Sequence, residues 1–130
     1  MSTVKTNTLT GTTSAGSIVV TGEGGSTTTN MQQGLAKNWV NCSDSGVNND
    51  SFNTSGITDA ATGKYDVALT NNMANTTYHY NCANVKSGDN SPQAGINGSL
   101  ATTGYRLEAT NYTSYIDPDQ ATGSTFGDLA

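Results

Sequence analysis

The stretch ITDAATGKYDVALTNNM, residues 57–73, decides the fold class. In its second half, Tyr65, Val67 and Leu69 fall on one face of an extended chain, and Asp66 and Ala68 on the other. A strict period of two that carries aromatic and β-branched residues is a strand pattern. Asp50–Thr58 ahead of it reads as the partner strand, with Phe52 and Ile57 as its bulky residues. DAATG, residues 59–63, then reads as a five-residue hairpin loop built around a type I turn. Asp59 is expected to bond forward to backbone N–H groups, and Gly63 to supply a positive φ. TNNMANTTY forms a second turn, with Met73 folded beneath it.

The same grammar runs outward along the chain. Ala36–Cys42, Thr77–Asn84, Tyr105–Ala109, a run near Tyr112–Ile116 and, weakly, Thr122–Gly127 read as further strands, separated by Gly/Asn/Ser/Pro turns. Thr (22), Asn (15), Gly (15) and Ser (13) make up half of the 130 residues. That composition disfavours long helices, because Gly loses the most backbone entropy and Asn, Ser and Thr compete for backbone partners. NMQQGLAKNW alone has a helical flavour. Residues 35–130 are therefore expected to form an all-β unit, a small antiparallel β-sandwich or jelly-roll-like domain. Its core candidates are Trp39, Phe52, Ile57, Tyr65, Val67, Leu69, Met73, Tyr78, Tyr80, Ile96, Leu100, Leu107 and Ile116.

Residues 1–34 contain no aromatic residue and few bulky apolar ones. Such a segment cannot bury enough surface to offset its ordering entropy. It reads as an extended arm, with short strands at Val4–Leu9 and Ser17–Thr21 and a flexible turn or linker at GEGGSTTTN, which attaches the unit to a partner or intertwines copies. The thin core of the main unit also favours a multimer.

The net charge is −5, and the basic residues Lys5, Lys37, Lys64, Lys86 and Arg106 are scattered. Neither feature suits phosphate neutralisation, so nucleic acid is not an expected partner. No apolar run has the length of a membrane span, and MSTVKTNTLTGTT has no signal-peptide core, so membrane insertion and export are not expected. Cys42 and Cys82 each lie in a strand-like run. Without a secretion signal they read as two reduced thiols rather than one disulfide between neighbouring strands.

Residues 35–80 resemble a domain that recurs in tail fibres and related virion appendages of tailed bacteriophages, especially phages of marine bacteria and cyanobacteria. The resemblance rests on three segments. Ala36, Trp39, Val40 and Asn41 carry the first. Ser51, Phe52, Asn53, Ser55, Ile57, Thr58, Asp59, Thr62, Gly63, Tyr65 and Val67 carry the second, and Thr70, Met73, Asn75 and Tyr78 the third. Leu69 stands where an aromatic residue is usual, and Cys42 where a bulkier one is common. The N-terminal segment resembles the strand-forming attachment segments that precede such domains. The resemblance implies a virion structural protein assembled in the host bacterial cytoplasm: a homotrimeric tail-fibre or appendage subunit, or a capsid decoration or head-fibre protein. Residues 1–34 would then contact other virion proteins.

The candidate sites are few. His79, the only histidine, alternates away from Tyr78 and Tyr80 and has no nucleophile or orienting acid assigned to it, so no catalytic residue is named and the chain reads as a non-enzyme. Asp44, Asn48, Asn49 and Asp50, and separately Asp117 and Asp119, are oxygen-rich turns without the spacing of an EF-hand loop, so no metal or cofactor is expected. Tyr112 and Tyr115 in NYTSYIDPD are the candidates for stacking on a sugar ring, which would make the chain a carbohydrate-binding module that meets a host-surface glycan. Trp39 could stack on a sugar ring if exposed, but within its strand it reads as core or subunit interface.

Overall fold

The computed structural model describes residues 3–12, 18–22, 24–88, 92–95, 99–111 and 113–130. The chain divides into two units, Met1–Leu35 and Ala36–Ala130. In the first, strands β1 (Val19–Thr21) and β2 (Thr28–Asn30) pair antiparallel and a short helix, α1 (Met31–Gly34), follows. Asn30 starts that helix by accepting the Gln32 and Gln33 N–H groups on its Oδ1 at 2.8 and 3.4 Å. Of the two readings of GEGGSTTTN, the turn is the one found: Gly22 N–H bonds the Thr27 carbonyl at 3.1 Å to close the hairpin, and Thr28–Asn30 is its second strand. Val4–Leu9 is not a strand, and Ser17 lies outside the described residues.

The second unit is all-β, as expected, with every strand pairing antiparallel. One sheet runs in the order β4 (Asn48–Phe52), β3 (Ala36–Ser43), β12 (Gln120–Phe126), β7 (His79–Val85). The other runs β11 (Ser114–Tyr115), β10 (Gly104–Asn111), β6 (Lys64–Leu69), β5 (Thr54–Ala61), and β8 (Pro92–Gly95) and β9 (Leu100–Ala101) also pair with β10. Val40, Cys42 and Ala121 from the first sheet share one core with Tyr65, Val67, Leu69, Tyr105 and Leu107 from the second. The weak pattern at Thr122–Gly127 is in fact part of a central strand. Its small residues are what the packing requires: a Cβ on Gly123 would lie 2.8 Å from Leu107 Cδ2 and 3.1 Å from the Tyr105 hydroxyl.

Of the expected core, Tyr65, Val67, Leu69, Met73, Tyr78 and Leu107 are buried, and Ile57 and Leu100 pack at its margin. Tyr80 and Ile116 are half-buried, and Ile96 lies outside the described residues. Trp39 and Phe52 are not core residues: they are 38% and 52% exposed. β3 turns Asn38, Val40 and Cys42 inward, and strand alternation then forces Trp39 out.

Asp50–Thr58 is not one strand. It breaks at Asn53, which has a φ of 56°, so that β4 joins one sheet and β5 the other. Asn tolerates the left-handed region better than other non-glycine residues. Here its side chain is also held, with Nδ2 donating to the Lys37 and Asn71 carbonyls at 2.8 and 3.1 Å and Oδ1 accepting Asn71 N–H at 2.7 Å. Beneath this switch lies Asn38, fully buried. Its Nδ2 donates to the Phe52 carbonyl at 2.9 Å and to Thr54 Oγ1 at 2.8 Å, and its Oδ1 accepts the Tyr105 hydroxyl at 2.5 Å. One amide thus ties β3, the β4–β5 junction and β10 together.

The opening hairpin is tighter than its sequence suggests. β5 continues to Ala61, which pairs with Lys64, so the loop is Thr62–Gly63 rather than five residues. Asp59 lies in the strand opposite Tyr65, next to a register irregularity between Asp59 and Ala61. Gly63 does take a positive φ, of 65°. Its N–H, however, bonds Asp117 Oδ1 at 2.6 Å, a carboxylate distant in sequence.

Cys42 and Cys82 are free thiols. They are not on neighbouring strands: β12 separates β3 from β7, with Cys42 opposite Ala121 and Cys82 opposite Gly123. Two strand spacings are roughly 10 Å, beyond the ~7 Å that a disulfide spans. Burial pushes the Cys42 thiol up to about 11 from 9.0. Burial also raises Tyr65 and Tyr105 well above 10.0, with nearby Asp117 adding to the effect at Tyr65 and Tyr78 at Tyr105. These groups keep their protons in the fold after the unfolded chain has lost them. Their contribution is intact at neutral pH, begins to fall above 9.0 for the thiol and 10.0 for the phenols, and is lost as pH climbs through the folded values. Each group costs about 1.4 kcal/mol per pH unit over that window. Far-UV circular dichroism across an alkaline titration is expected to show cooperative unfolding between pH ~10 and ~12. Simple ionisation of exposed tyrosines, with the fold intact to higher pH, would contradict it.

Candidate ligand-binding groove

The two outer faces of the second unit differ in chemistry. On the sheet containing β6 and β10, the charged groups of β6 and β10 and the Tyr115 hydroxyl are already engaged with one another. Arg106 Nε and a terminal nitrogen donate to the two Asp66 oxygens at 2.6 and 2.8 Å, and this pairing holds the Asp66 carboxyl below its usual range. Lys64 Nζ lies 4.0 Å from the Tyr115 ring centroid, and the Tyr115 hydroxyl donates to Glu108 Oε2 at 3.1 Å. Tyr115, expected as a sugar-stacking residue, is thus occupied on its face by a lysine and at its tip by a carboxylate. Tyr112 lies outside the described residues.

The outer face of β4-β3-β12-β7 is open and almost neutral. Pairing register lays side chains across it in rows. One row reads Phe52, Trp39, Ser124, Asn81, and the next Asp50, Asn41, Thr122, Ala83. Apart from Phe52, the residues of these rows line a groove of about 400 Å³. Strand spacing makes the run from Trp39 to Asn81 roughly 10 Å long. Beyond it, the His79 and Phe126 rings sit 6.1 Å apart and tilted by 42°. His79 does point outward, against an aromatic ring rather than a nucleophile.

The amides of the groove are partly preset. Asn49 Nδ2 donates to Asn41 Oδ1 at 3.0 Å, and Asn41 Nδ2 donates to Gln120 Oε1 at 3.4 Å. Asn81 and Ser124 make no side-chain hydrogen bond among the described residues. Lys37 is buried, and burial lowers its pKa.

The oxygen-rich turns serve the fold. The Asp44 carbonyl accepts the Tyr65 hydroxyl at 2.9 Å, Asp117 holds the Gly63 N–H, and Asp119 Oδ2 accepts Ser87 N–H at 2.8 Å with Lys86 Nζ 3.6 Å from its other oxygen. Among the described residues no three His, Cys, Asp or Glu side chains converge on one point, and no described helix is long and apolar enough to cross a membrane.

The groove escaped the sequence reading because Trp39 looks like core until Asn38 is known to face inward. The available signal was the interleaving of Asn38, Asn41 and Cys42 with the aromatic residue. Comparison of the chain with protein-family models, with curated proteins and with solved structures finds no match in any of the three.

Proposed function

We propose that this chain is a structural subunit of a tailed-phage virion, a fibre or appendage piece that works by assembly and contact rather than by chemistry. The observation that carries the reading is the state of the first unit. None of its described residues is buried, and Val19 and Val20 on β1 are 52% and 50% exposed. Two strands of three residues each cannot hold together on their own account. In this reading, burial for such a hairpin comes from another chain, by strand addition or by packing of its valines. That is the behaviour of an attachment and oligomerisation arm. The resemblance of residues 35–80 to tail-fibre domains supplies the virion context and sets the expected copy number at three.

Light scattering coupled to size exclusion tests the reading. The full chain is expected to run as a trimer at micromolar concentration. The Ala36–Ala130 unit, which contains its own core, is expected to run as a smaller species. A full chain that is a stable monomer, or a truncated unit that keeps the full oligomer, would count against an assembly role for the arm.

A further inference from the structure

We propose that the groove across β3, β12 and β7 binds a neutral oligosaccharide, with Trp39 as its stacking platform. The inference rests on the groove itself and not on the assembly reading. Four observations carry it. Trp39 is 38% exposed, yet its strand is paired on both sides, by β4 and by β12. The indole is therefore presented on rigid backbone, and little ordering is needed when a ligand arrives. Its flat face suits the C–H face of a pyranose, and its N–H offers a donor beside that face.

The polar groups beside it are the second observation. Asn41, Asn81, Thr122 and Ser124 are amides and hydroxyls, each able both to donate and to accept. Sugar hydroxyls have the same dual character. Asn81 and Ser124, in the Trp39 row, make no side-chain bond among the described residues. Ser124 stands roughly one strand spacing from the indole and Asn81 roughly two, within the length of a disaccharide.

Charge is the third. Among the described residues that line it there is no Lys or Arg, and Asp50 is the one acidic side chain. Phosphates, nucleic acids and acidic glycans would meet no counter-charge there. The fourth concerns a competing occupant. A second copy docked on this face would bring the same lining, burying Asp50 without a cation and the Asn81 amide without an assured partner. An oligosaccharide leaves Asp50 at the wet rim.

Trp39 is the only tryptophan, so its emission reports the site directly. The full chain is screened on an array of neutral and acidic glycans. The best neutral hit is then titrated by Trp39 fluorescence and calorimetry, beside an acidic glycan of equal length. A saturable change in Trp39 emission is expected with the neutral glycan and not with the acidic one. Trp39→Ala is expected to weaken binding at least tenfold, Asn81→Ala severalfold, and Trp39→Tyr less than Trp39→Ala. Circular dichroism checks the fold of each variant. If Trp39→Ala fails to fold, Asn81→Ala and Ser124→Ala on the open face decide the matter. Absence of any neutral glycan hit, or binding that survives these substitutions, would overturn the proposal. So would equal affinity for the acidic glycan. A Trp39 that is shielded from acrylamide in an oligomer which Trp39→Ala dissociates would assign the face to a second copy and also overturn it.

Discussion

Asn38→Ala is expected to destabilise the second unit by about 3–5 kcal/mol, a large fraction of the ~5–15 kcal/mol that a domain usually has. The substitution leaves the Tyr105 hydroxyl, the Phe52 carbonyl and Thr54 Oγ1 without the partner they have now. Asn38 is fully buried and Tyr105 is 4% exposed, so water does not readily replace the amide. An unsatisfied buried polar group costs about 1–3 kcal/mol, and more than one is created at once. Removing the amide also loosens the junction at which the chain leaves one sheet for the other. Urea denaturation should show a large fall in midpoint at unchanged slope. Tyr105→Phe removes one bond of the set and should cost less, about 1–2 kcal/mol. A loss below ~1 kcal/mol for Asn38→Ala would mean that the apolar core, and not this amide, holds the sheets in place.

Gly63→Ala is the second large effect, at about 3 kcal/mol or more. The φ of 65° alone costs an L side chain about 1–2 kcal/mol. A Cβ there would also lie 2.5 Å from the Ala109 carbonyl oxygen and 2.6 Å from that of Ile116. Both are backbone atoms in a paired region, where Ala109 N–H bonds the Gly63 carbonyl at 2.8 Å and Ile116 N–H bonds the Ala109 carbonyl at 3.0 Å. They can move only by breaking those bonds, so overpacking adds to the backbone strain. Thermal unfolding of Gly63→Ala against Gly88→Ala separates the two terms. Gly88 has a φ of 77° but open space around it, so it carries the conformational cost alone.

Much of the fold was legible where one face of a strand is apolar and the other is not. Tyr65, Val67 and Leu69 announced β6, and Tyr78, Tyr80 and Cys82 announced β7, because strand alternation is a local property. What stayed hidden depends on contacts distant in sequence. Asn53 reads as one more polar strand residue until Lys37 and Asn71 are known to hold it. β12 looks weak because its inward positions have to be small to admit Leu107 and Tyr105. Asp117 takes the turn role expected of Asp59, and nothing near Gly63 in sequence points to it. The groove was missed for the same reason. The direction in which Trp39 faces is set by what Asn38 bonds, and those partners lie on two other strands.

The position of β12 also governs the order of folding events. It lies between β3 and β7 and pairs with both, whereas β3 and β7 do not pair with each other. Ala36–Ser43 pairs at one edge with β4, the next strand in the chain, but its other edge waits for a partner that follows all the other described strands. Until Gln120–Phe126 inserts, both flanking strands carry open hydrogen-bonding edges, and Cys42 and Val40 lack part of their cover. Closure over so long a stretch is slow, because its entropy has to be overcome before any contact rewards it. The interval before insertion is when such a chain is most apt to pair with a neighbouring molecule.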